Sequence, residues 1–213
     1  MSSNNLVRLI PWDPNSSKHV DMLLQQREDC GWDSEKIPLW QEMQISGLKC
    51  IFWIEKAPLQ DTSASIRGIS RRPTQEQFYP VGHISLDSIN PGTDVFNLDL
   101  PSKGVYWIKT FYVSKALRSK GIGRASMDVV ESMAVDKPLC ARTLALDTVH
   151  KDTGIALAIA ATGEPPKMTN QGWYERRGYK LIKVVKDFYK ASPEEIARSA
   201  PELFTVFLKK DIA

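Results

Sequence analysis

Tyr112-Val113-Ser114-Lys115-Ala116-Leu117-Arg118-Ser119-Lys120-Gly121-Ile122-Gly123-Arg124-Ala125 is the stretch from which the fold can be read. Val105–Val113 is dense in aromatic residues and predicts a strand that ends at Val113. Ile122, Ala125, Val129 and Met133 then recur at helical spacing, with Val130 and Ala134 beside them, which predicts an amphipathic helix stopped at Pro138. The turn between them is tight, basic and carries Gly121 and Gly123. A helix N-terminus has unpaired N–H groups and the positive end of the macrodipole. Glycines let an anion approach those groups, so the turn suits a pyrophosphate. It is not a Walker A loop, because no Gly-Lys-Ser/Thr follows. It is not the dinucleotide fingerprint either, because Ser126 stands where the third glycine belongs. For so short a motif, a glycine-rich turn with solvated charges is the plain structural alternative.

Outward from the turn, the chain alternates helical and strand patterns. Leu6–Trp12 suits an opening strand. Val20, Leu23 and Leu24 predict a first helix from Ser16 or Ser17, and Asp33 or Ser34 would cap a second that ends at Gly47. Cys50–Ile54 and Val81–Ile89 read as strands. Ala57–Pro80 is polar, with a basic cluster of Arg67, Arg71 and Arg72, and reads as a long loop, as does Asn90–Gly104. Beyond the central helix, Ala141–Val149 predicts a strand, Asn170–Arg177 a short helix closed by Gly178, and Tyr179–Tyr189 another strand. Ser192-Pro193-Glu194-Glu195 is a capping box with Pro at the first helical position, and Leu203–Ile212 closes the chain as a strand. With no repeat and no interior linker, one mixed α/β domain over residues 1–213 is the economical expectation.

Composition bounds the function. The 213 residues are 42% hydrophobic, 9% aromatic and 25% charged, in the range of ordinary globular proteins. A net charge of +3 does not argue for nucleic acid. Cys30, Cys50 and Cys140 form neither a disulfide framework nor a zinc pattern, and each reads as a small buried apolar residue. The N-terminus has no signal-peptide pattern, and the longest apolar stretch, near Gly154–Ala161, falls far short of the ~20 residues of a membrane helix. A protein of the cytoplasm or nucleus, bound to neither membrane nor nucleic acid, is expected.

Two motifs together resemble one family. Arg118-Ser119-Lys120-Gly121-Ile122-Gly123, opening a helix after an aromatic strand, resembles the acetyl-CoA loop of the GNAT acetyltransferases. Trp173-Tyr174-Glu175-Arg176-Arg177-Gly178-Tyr179 is similar to that family's second signature, a helix ending in Tyr-Glu-basic-x-Gly-aromatic. It follows the turn by one strand and one helix, in the family's order. The resemblance covers about Leu6 to Ile212. It implies an α/β fold (α+β mixed) with a central mixed, mostly antiparallel sheet of about seven strands flanked by helices. It also implies an N-acetyltransferase, monomeric or homodimeric, with acetyl-CoA as co-substrate and no metal.

Carried over residue by residue, the resemblance puts the cofactor on Tyr112, Val113, Arg118, Ser119, Lys120, Gly121, Ile122, Gly123 and Arg124, with Asn170 and Tyr174. The main-chain N–H of Val113 would donate to the thioester carbonyl. Tyr174 would be the catalytic acid, since a phenol is protonated at neutral pH; a half-buried aromatic packed on Trp173 is the alternative. The family often has an Asn seven residues before this Tyr. Lys167 stands there, and Asn170 is the nearest asparagine. The base is open among His83, Asp147, His150 and water. Arg67, Arg71 and Arg72 could meet an acidic substrate or the nucleotide's phosphate, although a solvated flexible loop is the preferred account of them. The stretch Val149–Met168 is longer than the family's usual connection. Gly154–Ala161 should form a short packed helix ended by Gly163 and Pro165-Pro166, walling the amine pocket. The acceptor is read as a small amine, with a protein lysine or N-terminus, or a non-catalytic acyl-CoA binder, as the alternatives.

Overall fold

The structure, a computed structural model, describes residues 7–189 and 202–212. The chain divides into two compact units, Met1–Pro91 with Tyr106–Arg142 and Gly92–Val105 with Thr143–Ile212. Among the described residues there are seven longer strands, mostly antiparallel, and five α-helices, a mixed α/β architecture. The capping box at Ser192–Glu195 lies outside the described residues.

In the first unit the elements are β1 (Leu9–Pro11), α1 (Ser17–Cys30), α2 (Ile37–Ile45), β2 (Lys49–Gln60), the short pair β3 (Ser65–Ile66) and β4 (Ile69–Ser70), β5 (Gln77–Asp87), β6 (Val105–Val113) and α3 (Ile122–Val135). β1, β2, β5 and β6 pair antiparallel in that order. Trp12, Leu23, Ile37, Trp40, Ile51, Trp53 and Phe78 make the core between the sheet and α1–α2.

α1 buries a different stripe from the one its apolar spacing suggests. His19, Leu23, Gln26 and Arg27 face inward, while Leu24 is 39% exposed. The polar members are buried because each is answered. His19 Nδ1 accepts from the Asp13 N–H at 3.1 Å and from Trp53 Nε1 at 3.0 Å, which leaves Nε2 to donate to the Gln60 carbonyl at 3.0 Å. Gln26 Nε2 donates to the Pro80 carbonyl at 3.0 Å, and Arg27 Nε to that of Trp32 at 2.8 Å. Asp33 does not cap the second helix. It precedes a 3-10 turn at Ser34–Lys36 in a left-handed conformation and takes the Lys36 ammonium at 2.5 Å.

Ala57–Pro80 is not a long loop. β2 runs on to Gln60, β5 starts at Gln77, and β3–β4 form a hairpin between them. Asp61 organises the segment. The Arg71 guanidinium clasps its two oxygens at 2.7 and 2.6 Å, and the Thr74 N–H and hydroxyl donate to it at 3.0 and 2.8 Å. Burial pushes the Asp61 pKa up, but these donors outweigh it and hold the pKa at about 2. Arg71 is therefore a structural cation, and Arg67 donates to the Met133 carbonyl at 3.2 Å. Of the cysteines only Cys50 is buried; Cys30 is half-buried and Cys140 exposed.

The second unit holds β7 (Thr143–Val149), α4 (Lys151–Thr162), α5 (Asn170–Arg176), β8 (Lys180–Lys186) and β9 (Phe204–Asp211). β9 lies between β7 and β8, antiparallel to both. The expected helix in the long connection is α4, capped by His150 Nδ1 on the Asp152 N–H and ended by Gly163 at φ +79°. It packs on α5, with residues 154–158 half-buried. Thr153 is its one buried residue, and Ile159 is 45% exposed.

Two buried histidines give a pH signature. Burial pushes His19 down against the Gln60 carbonyl, Asp13 and Asp61. Burial, with Arg27 and Lys49 adding to it, pushes His83 well down. The unfolded chain therefore binds protons below about pH 6.5 that the folded chain refuses. This stabilising contribution is full above that pH and falls as pH drops towards the native pKa values, by up to about 1.4 kcal/mol per pH unit for each histidine. Urea midpoints measured from pH 7.5 to 5 are expected to fall, with a shallower slope in His83→Gln.

Candidate active site

β6 delivers the chain to the basic turn. Ser114 N–H donates to the Val81 carbonyl at 2.8 Å, which carries the β5–β6 pairing one residue past the strand. A 3-10 turn at Lys115–Leu117 follows, and Arg118 Nε donates back to the Val113 carbonyl at 3.3 Å. Ser119 (φ +63°) and Gly121 (φ +81°) are both left-handed, and Gly121 is the N-cap of α3. A side chain at Gly121 would be strained in that conformation. No side chain caps α3, and Arg118, Ser119, Lys120 and Arg124 are exposed around its start. Ser126 is buried, its hydroxyl donating to the Ile122 carbonyl at 2.8 Å. The turn thus presents an uncapped helix N-terminus ringed by three cations, the chemistry of an anion cradle.

Two features that hold the turn have no conspicuous motif in the sequence. Between His83 and Ser85 the β5–β6 register shifts, and Thr110 takes φ +50° with its hydroxyl on Ser85 Oγ at 3.0 Å, so β6 carries a bulge. At Gly82, a Cβ would lie 2.1 Å from the Tyr112 carbonyl oxygen and 3.0 Å from Val113 Cα. Tyr112 itself is buried, its ring stacked on His83 at 5.5 Å, so what it offers a ligand is main chain.

His83 is fully buried, with Nδ1 on Gln26 Oε1 at 2.8 Å and Nε2 without a partner. Its depressed pKa and its enclosure fit a neutral core group rather than an acceptor of a substrate proton.

Tyr174 lies in the second unit, on α5. Thr169 caps that helix, its hydroxyl accepting from the Gly172 N–H at 3.1 Å. Gln171 ties it to α4, accepting from the Lys151 N–H at 2.7 Å. Asn170 opens α5 and is exposed. The Tyr174 ring meets Trp173 at 5.0 Å and Tyr179 at 5.9 Å, both edge-on. Burial, then the charge of Asp147, pushes its phenol pKa up against the pull of Arg177, so it is a protonated donor at neutral pH. Asp147, on β7, is half-buried and accepts a hydrogen bond from the Tyr189 hydroxyl. Tyr189 carries no motif and escapes a reading of the sequence. Among the described residues, no three His, Cys, Asp or Glu side chains gather to hold a metal, and no helix is long and apolar enough to cross a membrane.

Residues 68–179 match the family model described as the acetyltransferase (GNAT) family. No curated protein matches the sequence significantly. Solved structures share its fold. NAA60 of Arabidopsis thaliana, in complex with acetyl-CoA, is similar at 15% identity over 97% of this chain and 98% of its own, with a TM-score of 0.55. An aminoglycoside 6'-N-acetyltransferase complexed with coenzyme A is similar at 13% identity over 97% of both chains, with a TM-score of 0.57. A GNAT acetyltransferase of Elizabethkingia anophelis with acetyl-CoA bound is similar at 16% identity over 98% and 99%, with a TM-score of 0.53.

Gly82 offers a direct test of how the turn is held. Gly82→Ala must part β5 from the Tyr112 carbonyl, and overpacking of this kind costs about 1–3 kcal/mol. The expected result is a lowered urea midpoint.

Proposed function

Because the chain belongs to the GNAT acetyltransferase family, we propose that it transfers acetyl from acetyl-CoA to a primary amine by direct attack in a ternary complex. The observation that carries this reading is the uncapped start of α3 at Gly121, left-handed and flanked by exposed Arg118, Lys120 and Arg124. The diphosphate of coenzyme A fits those donors in charge and in its need for close backbone approach. Acetyl-CoA supplies the activated thioester.

In this proposal the protein's own groups do four things. The backbone from Ser119 to Arg124 holds the diphosphate, with Arg118 and Lys120 adding charge. The Val113 main chain orients the acyl carbonyl. Tyr174, kept protonated by burial and by Asp147, gives its proton to the departing sulfur. The incoming ammonium must lose a proton before it can attack. A binder that only sensed acyl-CoA would need the turn but not a half-buried, protonated phenol, which favours the enzyme. We assign a small cytoplasmic amine as acceptor. Assays of free thiol release over a polyamine, an amino sugar, an amino acid and peptides separate this from a protein lysine or N-terminus. Amine-dependent release with none of them would contradict the proposal.

Gly121→Val places a β-branched side chain at φ +81°, where the diphosphate must approach. Acetyl-CoA affinity measured by calorimetry is expected to fall at least about tenfold in a chain that stays folded. Tyr174→Phe removes the proton donor and keeps the ring. Turnover is expected to fall by about 10²-fold or more with the acetyl-CoA dissociation constant unchanged, and a loss below about threefold would return Tyr174 to packing.

A further inference from the structure

β9 lies between β7 and β8, so among the described residues no strand pairs with the outer edge of β8. An open edge presents a row of main-chain donors and acceptors that can take one more strand. Two features of β8 say what kind of strand. The first is a bulge. Lys180 and Leu181 stand opposite Lys209 and Leu208, Ile182 is passed over, and Lys183 and Val184 stand opposite Phe207 and Val206. Alternate residues of β9 point to one face of the sheet. The extra residue therefore brings side chains three apart in sequence onto a common face. Leu181 and Val184 share the face of the buried Leu208 and Val206, and Lys180 and Lys183 share the other. Leu181 and Val184 are 46% and 44% exposed. The apolar row thus runs from the core of the second unit out to the edge strand and is open there.

The second feature is charge. Residues 176–186 hold Arg176, Arg177, Lys180, Lys183 and Lys186 and no acid. Lys186 is answered by Glu202. Lys180 and Lys183 are exposed, and neither has an ion-pair partner among the described residues. A second copy of β8 does not suit this edge. Paired about a two-fold axis normal to the sheet, it sets its lysine face on the same side as the first, and like charges repel across a strand pair. A nucleic acid would match the lysines, but it has neither main-chain amides for the edge nor alternating apolar side chains for Leu181 and Val184.

We infer that the outer edge of β8 docks an extended acidic segment of a partner protein, one that alternates aliphatic and acidic residues, as an added strand. The main chain of β8 supplies the pairing, Leu181 and Val184 extend an apolar row under the aliphatic side chains, and Lys180 and Lys183 select for acid on the other face. None of these residues is given a part in acetyl transfer, so the inference stands apart from that reading.

The test uses the full chain and a short labelled peptide of alternating Val and Glu, with binding read by fluorescence anisotropy. The comparison probes are the same peptide with alternate amides N-methylated, the same peptide with Lys in place of Glu, and a single-stranded oligonucleotide of equal charge. Saturable binding of the Val/Glu peptide is expected, weakened by salt and lowered at least about tenfold by N-methylation, which removes the strand hydrogen bonds. Lys180→Glu combined with Lys183→Glu is expected to lower affinity for the Val/Glu peptide at least about tenfold and to raise it for the Val/Lys peptide. The urea midpoint of that variant should change little, since both side chains are exposed. No binding to the wild-type chain, or equal binding of the N-methylated peptide, would overturn the inference. So would an oligonucleotide that binds as tightly as the peptide, which marks a general anion surface. A wild-type dimer in sedimentation that the peptide dissociates would also overturn it, because a second copy would then be the occupant. Should the double variant not fold, the methylated and unmethylated peptides on the wild-type chain decide it.

Discussion

Between Gly82 and the carbonyl oxygen of Tyr112 there is room for a hydrogen atom and nothing larger. That close approach sets where β6 ends. Because β5 can lie directly against the Tyr112–Val113 backbone, Ser114 still reaches the Val81 carbonyl, and the chain turns at Lys115 rather than running on. The left-handed residues Ser119 and Gly121 complete the reversal and hand the chain to α3 with no side-chain hydrogen bond capping its start. The bulge at Thr110 adjusts the register just upstream. Strand pairing, turn and helix start are thus one mechanical unit, and the anion-attracting end of α3 is its product.

The sheet face around this unit is unusually polar for a core. Ser85 and Asp87 follow His83 along one side of β5. Lys49 answers Asp87 at 2.7 Å and Ser85 at 3.1 Å, with its ammonium 4.9 Å from the Trp40 ring centre. Burial pushes the Lys49 pKa down and Asp87 pulls it back up. Such a pair adds little net stability, because desolvation offsets the attraction, but removing one partner leaves the other charge stranded. Its register across β2 and β5 is therefore fixed by charge as well as by packing. The second unit solves the same problem with rings. Phe96, Phe188 and Phe207 interlock, and Tyr174, Trp173 and Tyr179 meet edge to face.

The sequence made the cradle legible because it is local. Gly121, Gly123 and the apolar period from Ile122 lie within one short stretch, and so does the Tyr174–Gly178 signature. Strand positions followed from alternation in Val81–Ile89 and from the aromatic density of Val105–Val113. What stayed hidden depends on long-range partners. The Ala57–Pro80 segment looks like a loop until Asp61 is seen to clasp Arg71 and Thr74. The buried face of α1 cannot be inferred from hydropathy when His19, Gln26 and Arg27 supply it through hydrogen bonds to residues up to 57 positions away. α4 has the composition of a core helix, yet Thr153 is its one buried residue. Gly82 and Tyr189 carry no motif, since the backbone of Tyr112 and the carboxylate of Asp147 give them their meaning.

The claim on which the functional reading stands is that the turn from Arg118 to Arg124 holds the diphosphate of coenzyme A. Acetyl-CoA titrated into the wild-type chain in a calorimeter, at low and at high salt, measures this directly. Saturable one-to-one binding that weakens as salt screens Arg118, Lys120 and Arg124 is the expected result. No binding, or binding indifferent to salt and matched by an acyl thioester that lacks the diphosphate, would contradict it.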